Sequence, residues 1–171
     1  MGGLLTGAKL SPAPVSAGAG KRRAGNAFVE ASLVLVPLFA LIFAIVDFGL
    51  AIFVRTTLQH ATREGVRYAV TYQTFSGMGH DASIKRVVQN AALGLLNGQA
   101  GLDKIHIRYY DPITFQEVPS NAPGNLVEVS VEDFRWGWIA PLLRSASPIT
   151  FAARSSDRME GLPGGQSPPP R

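Results

Sequence analysis

Glu30 and Asp47 are the acids set into the longest apolar stretch of the chain. A carboxylate in such surroundings is paired, held at an interface, or used as a general acid or base. The two are 17 residues apart, about 25 Å along a helix at ~1.5 Å per residue, so they bracket the stretch and share no site. Asp47-Phe48-Gly49 spells the metal-binding triplet of protein kinases. Neither a Gly-rich loop nor a catalytic-loop motif accompanies it, so the match is read as coincidence. His60, His80 and His106 stand apart, with no metal-ligand spacing and no Ser/His/Asp ordering. The chain has no cysteine, which excludes thiolate nucleophiles, thiolate metal sites and disulfides. No catalytic residue, metal or cofactor is expected, and the chain is expected not to be an enzyme.

Upstream of the apolar stretch the chain reads Lys21-Arg22-Arg23-Ala24-Gly25-Asn26-Ala27-Phe28-Val29-Glu30. This is a basic cluster, then a glycine, then a glutamate at the fifth position beyond it. The element that carries these residues is a helix. Ala31–Val46 holds no charge, and after Asp47 the run Phe48–Val54 is again apolar. At ~1.5 Å per residue the whole run gives about 36 Å, enough to cross a bilayer core of about 30 Å. The basic cluster predicts a cytoplasmic N-terminus, with everything after Arg55 on the other side. A carboxylate at the bilayer centre costs about 2.5–3.5 kcal/mol, so Glu30 is expected near an interface or paired.

Beyond the membrane Leu58, Ala61, Thr62, Gly65, Val66 and Ala69 recur at helical spacing, while Arg63, Glu64 and Arg67 fall mostly on other faces. One helix is therefore expected over residues 26–72, with Pro37 a candidate kink because it lacks an N–H and its ring crowds the preceding turn. Arg63-Glu64-Gly65-Val66-Arg67 marks where that helix meets the rest of the protein, and Gly65 permits a close approach there. The alternative is a solvated charged face with an incidental glycine.

The rest of the chain is long enough for one module and no more. Asp81 or Ser83 can cap an amphipathic helix with the stripe Ile84, Val87, Val88, Ala91, Leu95 and Leu96, closing near Asn97-Gly98. Ile105, Ile107 and Tyr109 alternate with Lys104, His106 and Arg108, as Val127, Val129 and Val131 do with Glu128, Ser130 and Glu132. This is the period of half-buried strands. Their polar faces carry opposite charge, which predicts that they pair antiparallel. Residues 111–125 read as a long loop, 149–153 as a third strand and 161–171, rich in Gly and Pro, as a disordered tail. Trp136 and Trp138 flank Gly137 in an aromatic and apolar loop that either packs in the core or forms an interface with the membrane or another subunit. The expected fold class is α+β: a long N-terminal transmembrane helix, then a small domain with an amphipathic helix and an antiparallel sheet.

The chain carries 16 basic and 12 acidic residues. Lys9, Lys21, Arg22 and Arg23 lie in the first 25 residues without an acid, and the basic and acidic residues beyond them are equal in number. The excess charge belongs to the leader, and no basic stripe on the folded part points to nucleic acid.

The stretch around Gly25 and Glu30 resembles a type IV prepilin processing site, in which a peptidase cuts after the glycine and a glutamate occupies the fifth mature position. Many type IV pilins have Phe at the first mature position, where this chain has Asn26. Three further stretches, Glu30-Ala31 with Leu33–Leu38, Val46-Asp47-Phe48-Gly49, and Leu58–Ala69, resemble the TadE-like family over about residues 22–72. The resemblance implies a pilin-like domain and a minor pilin-like subunit of a tight-adherence (Flp) pilus or secretion machinery. It also implies partners: a prepilin peptidase, other pilin-like subunits, inner-membrane pilus assembly proteins and the membrane itself. The organisation expected is a cleaved leader (1–25), a membrane helix with its extension (26–72), an extracytoplasmic domain (73–160) and a tail (161–171). The competing expectation is an uncleaved single-pass protein whose outer module binds a ligand or an envelope component. A secreted enzyme is disfavoured, because the apolar run exceeds a signal-peptide core.

Overall fold

The computed structural model describes residues 19–140, 147–162, 164 and 166–171. Its first element is helix α1, Ala19–Val70. The expected start at Asn26 is corrected to Ala19. Ala24 and the basic cluster are good helix formers, and Gly20 and Gly25, at about 1 kcal/mol each, do not outweigh extension of a helix already nucleated. The helix runs unbroken through Pro37. Contacts along the chain divide it into two units, Met1–Leu41 and Ile42–Arg171.

In the first unit the described side chains of α1 are almost all exposed, among them Phe28, Leu33, Val36 and Phe39. Among the described residues, Ala27–Val70 is the helix long and apolar enough to cross a membrane, with a window of mean hydropathy 2.6 that is 6% buried. So little burial separates it from the core helix of a soluble domain.

In the second unit the same helix turns one stripe inward. Val54, Leu58, Ala61, Val66 and Ala69 are buried in one cluster with Ile84, Val88, Ile105, Val127 and Val129. These are the helical positions that the spacing of apolar residues selects, while Arg63 and Arg67 face out. α1 ends at Val70, two residues short of expectation, because Tyr72 takes a positive φ of 55° and bonds back to Ala69.

Helix α2, His80–Ala91, follows. Its cap is Gly79, with no side-chain hydrogen bond, where Asp81 or Ser83 was expected. The first N–H, from His80, is instead taken by the carbonyl of Pro170 at 2.8 Å. The helix also stops short of Asn97, since Leu93 and Gly94 both take positive φ, 50° and 86°. The Gln89 amide donates to the Leu96 and Gly98 carbonyls and holds the turn that results. Helix α3, Gly98–Leu102, is a single turn.

The sheet comprises β1 (Ile105–Tyr110), β2 (Glu117–Val118), β3 (Leu126–Trp136) and β4 (Ile149–Arg158), all antiparallel in the order β2-β1-β3-β4. β2 lies inside the segment read as a loop, and β4 runs five residues past Ala153. β1 and β3 pair as their charges predict, with Arg108 opposite Glu128 and Ile107 opposite Val129. On the polar face Arg108 bonds Glu132 at 2.7 Å and lies 3.5 Å from Glu128, and Arg154 of β4 reaches Glu128 at 3.5 Å. The hydrogen bonds from Arg108 and Ser130 hold the Glu132 carboxyl down to about 2. A bulge between Val131 and Phe134, with Asp133 at φ 54°, lets Lys104 bond the Asp133 carbonyl.

α1 approaches α2 and β3 closely at Gly65, where a Cβ would overlap Val88 Cγ2 and lie 3.3 Å from Val129 Cγ1. Both neighbours are β-branched and stiff. Gly65→Val is expected to lower domain stability by about 1–3 kcal/mol through overpacking. Gly49→Ala, with nothing within 4 Å of the added Cβ, is expected to be neutral or slightly stabilising. Thermal unfolding of the detergent-solubilised chain, followed by near-ultraviolet circular dichroism, measures both.

Candidate functional site

Of the residues singled out on the membrane helix, Gly25 and Asn26 lie within α1, and Glu30 is exposed on it. An open apolar hollow is lined by Phe28, Val29, Ser32, Leu33, Val36 and Pro37. Pro37 has no N–H to give the Leu33 carbonyl, so that carbonyl lacks its helical partner. The Ser32 hydroxyl donates to the Phe28 carbonyl at 2.7 Å and adds no side-chain donor to the surface. The surface this part of the helix offers is thus almost wholly apolar, with Glu30 as its acid.

Asp47 behaves differently. It is 2% exposed, and its two oxygens accept the backbone N–H groups of Ile139 and Ala140 at 2.9 and 2.8 Å. An isolated acid in an apolar helix is thereby converted into a two-pronged clasp on the segment between β3 and β4, and such charge-assisted bonds are stronger than neutral ones. Gly49, two residues on, is exposed with open space around it. Trp136 closes β3 and packs partly against the core, while the Trp138 indole donates to the Ser147 carbonyl at 3.0 Å. The two tryptophans therefore have separate surroundings. A partner for Asp47 92 residues away leaves no local signal.

At the point where α1 joins the domain, Arg63 and Arg67 are exposed, and Glu64 lies 4.0 Å from Arg67 at the surface. Such a pair contributes little to stability. Gln59 donates to the Arg154 carbonyl of β4 at 3.0 Å.

A second cluster was not expected. His80 is fully buried, stacked on Tyr72 with ring centroids 5.7 Å apart. Its Nδ1 lies 3.3 Å from the Tyr109 hydroxyl and 3.4 Å from the Asn121 amide. Tyr109 gives its proton to Asp81 at 2.8 Å, so toward His80 it is an acceptor, whereas the Asn121 amide is a donor. Among the described residues His80 Nε2 has no partner in hydrogen-bonding geometry. Arg171 closes the cluster: it pairs with Asp81 at 2.9 Å, donates to the Pro119 carbonyl and lies 4.8 Å over the Tyr109 ring. Asn121 donates to the Pro169 carbonyl at 3.0 Å. Pro169–Arg171, within the segment read as a tail, thus contribute to this cluster: the Pro170 carbonyl takes the first N–H of α2, and the Arg171 guanidinium pairs with Asp81. His106, on β1, and the exposed His60 lie outside this cluster.

Residues 25–67 match the family described as TadE-like protein, so the likeness read from the residues holds over the membrane helix and its extension. The matched stretch covers Gly25, Glu30, Pro37, Asp47, Gly49 and Gly65, and it stops before the sheet and the His80 cluster. No curated protein and no solved structure matches the chain. A single-pass membrane protein similar over its helix to TadE-like proteins is the class that fold and comparison define together.

The buried histidine makes the domain sensitive to acid. Burial lowers the His80 pKa below its ordinary 6.5, opposed by Asp81 and a nearby Ala69 carbonyl and assisted by Arg171. The unfolded chain then takes up a proton near pH 6.5 that the folded chain excludes. Stability is full above that pH and is lost as pH falls below it, toward the lowered folded value. Stability profiles are expected to decline below pH 6.5, with His80→Gln flattening the decline. Glu132 contributes in a separate window, between 4.5 and about 2. A wild-type profile that is flat across the histidine range contradicts the assignment.

Proposed function

We propose that this chain is a minor pilin-like structural subunit of a tight-adherence (Flp, type IVc) pilus or a related secretion system. The match of residues 25–67 to the TadE-like family, beginning at Gly25 and including Glu30, carries the proposal. In this reading the helix inserts in the inner membrane with Lys21-Arg22-Arg23 in the cytoplasm and the domain outside. A prepilin peptidase then hydrolyses the bond between Gly25 and Asn26. Glycine is the weakest point of that helical stretch, about 1 kcal/mol easier to unwind than alanine, which favours the extended backbone that a peptidase needs.

Cleavage takes away the four basic residues of the leader and leaves equal numbers of basic and acidic residues. The new Asn26 amine stands one helical turn from Glu30, and in an assembly Glu30 pairs with the amine of a neighbouring subunit, which offsets its desolvation and sets register. The exposed apolar surface from Phe28 to Val46 is covered first by lipid and then by helices of related subunits. The domain selects partners, and the role is structural, not catalytic.

Intact mass and N-terminal sequencing of the chain extracted from cells are expected to give a protein beginning at Asn26. Gly25→Val is expected to accumulate as the longer precursor and to lose incorporation into pili. A wild-type chain that retains Lys21–Arg23 contradicts the processing and returns the plain single-pass anchor as the better account.

A further inference from the structure

Asp47 interrupts the exposed apolar surface of α1. From Ala27 to Phe53 the side chains of α1 are exposed or half-exposed except that of Asp47, which is the first buried residue among those described. In the sequence, the stretch from Ala27, just after Asn26, to Val46, just before Asp47, is 20 residues long, about 30 Å at ~1.5 Å per residue, which matches the hydrocarbon thickness of a bilayer. A span ending at Val46 therefore needs none of Phe48–Val54, and the carboxylate falls at its edge.

The segment that Asp47 holds has the chemistry of that edge. Non-helical backbone can approach the hydrocarbon of a bilayer where its polar groups are satisfied by protein, and Asp47 accepts the N–H groups of both Ile139 and Ala140. Along the two turns of α1 that follow Asp47, Phe48 (68%), Ile52 (48%) and Phe53 (49%) expose apolar surface, as does Ile139 (51%) in the held segment. Trp138, next to Ile139 in sequence, is half-buried, with its indole N–H already bonded to the Ser147 carbonyl. Tryptophan and large apolar side chains next to satisfied polar groups are what the headgroup zone accommodates.

From this we infer that the Asp47 clasp seats the Trp138–Ala140 segment on the bilayer surface on the domain side, with Phe48, Ile52, Phe53, Trp138 and Ile139 in the headgroup zone and the membrane span ending at Val46. The inference rests on the membrane-anchored reading above. It adds a second, peripheral membrane contact and gives Asp47 the task of positioning it.

Trp136 and Trp138 are the protein's two tryptophans, so in a Trp136→Phe background intrinsic fluorescence reports on Trp138 alone, and all vesicle measurements use that background. The full chain is reconstituted at low density in phosphatidylcholine vesicles whose acyl chains are brominated either near the headgroup or near the terminal methyl. Emission is expected to be quenched about two-fold more by the shallow label than by the deep one, as an interfacial position requires. Asp47→Ala is expected to lose that preference and become open to acrylamide while still floating with the vesicles. Ile139→Asp leaves the clasp atoms in place and is expected to weaken shallow quenching with unchanged thermal unfolding. A chain that floats but is quenched by neither label overturns the inference and leaves the anchor standing. Protection from acrylamide that rises with protein density, without lipid quenching, also overturns it and assigns the surface to a neighbouring subunit. A chain that does not float removes the membrane reading as well.

Discussion

Helix α1 has to satisfy two solvents with one continuous backbone. Over residues 27–46 its side chains are exposed and apolar, a surface that only lipid or other helices can cover. From Val54 onward it presents a buried stripe that closes the core of the domain. The domain cannot be assembled without that stripe: Val54, Leu58, Ala61, Val66 and Ala69 lie in the same cluster as the inward residues of α2, β1 and β3. Burial of each large aliphatic side chain contributes roughly 1.5–3 kcal/mol, so losing the helix would remove much of what holds a domain of this size. Anchor and core are the same element, and whatever pulls on the helix pulls on the fold.

That coupling explains where the polar interactions lie. Asp47 stands at the change of environment and accepts two backbone N–H groups. Past it, Gly65 lets α2 and β3 approach the helix closely, and Gln59 ties it to β4. At the far end, Tyr72 turns the chain and stacks on His80, whose helix is capped by Pro170. The charged face of the sheet, with Arg108 and Arg154 shared between Glu128 and Glu132, is local to the strands and fixes their register.

Much of this was legible in the residues because it is periodic. The stripe on α1 follows the 3.6-residue repeat, and β1 and β3 follow strict alternation, with opposite charges on their outer faces specifying the pairing. What could not be read is set by contacts between distant residues. The Asp47 clasp joins residues 92 and 93 positions apart, and the Asp81–Arg171 pair spans 90. The early stop of α2 depends on Gln89 bonding carbonyls beyond the helix, which overrides an apolar spacing that continues to Leu96. The start of α1 was misplaced for the opposite reason: glycine and a change of composition read as a boundary, whereas helix propagation is cooperative. The processing residues were legible through their spacing and the family likeness, not through any contact that they make.

Because the chain contains no cysteine, single cysteines placed along α1 test most directly whether one helix passes from membrane to domain core at Asp47. Native membranes carrying each variant are treated with an impermeant maleimide from the domain side. Cysteines at Leu35, Leu38 and Leu41 are expected to stay unlabelled, those at Thr56, His60 and Arg63 to label fully, and those at Leu58 and Ala61 to label only after the domain is unfolded. Labelling of the first group in intact membranes, or equal labelling of Leu58 and His60 in the folded protein, would contradict the account.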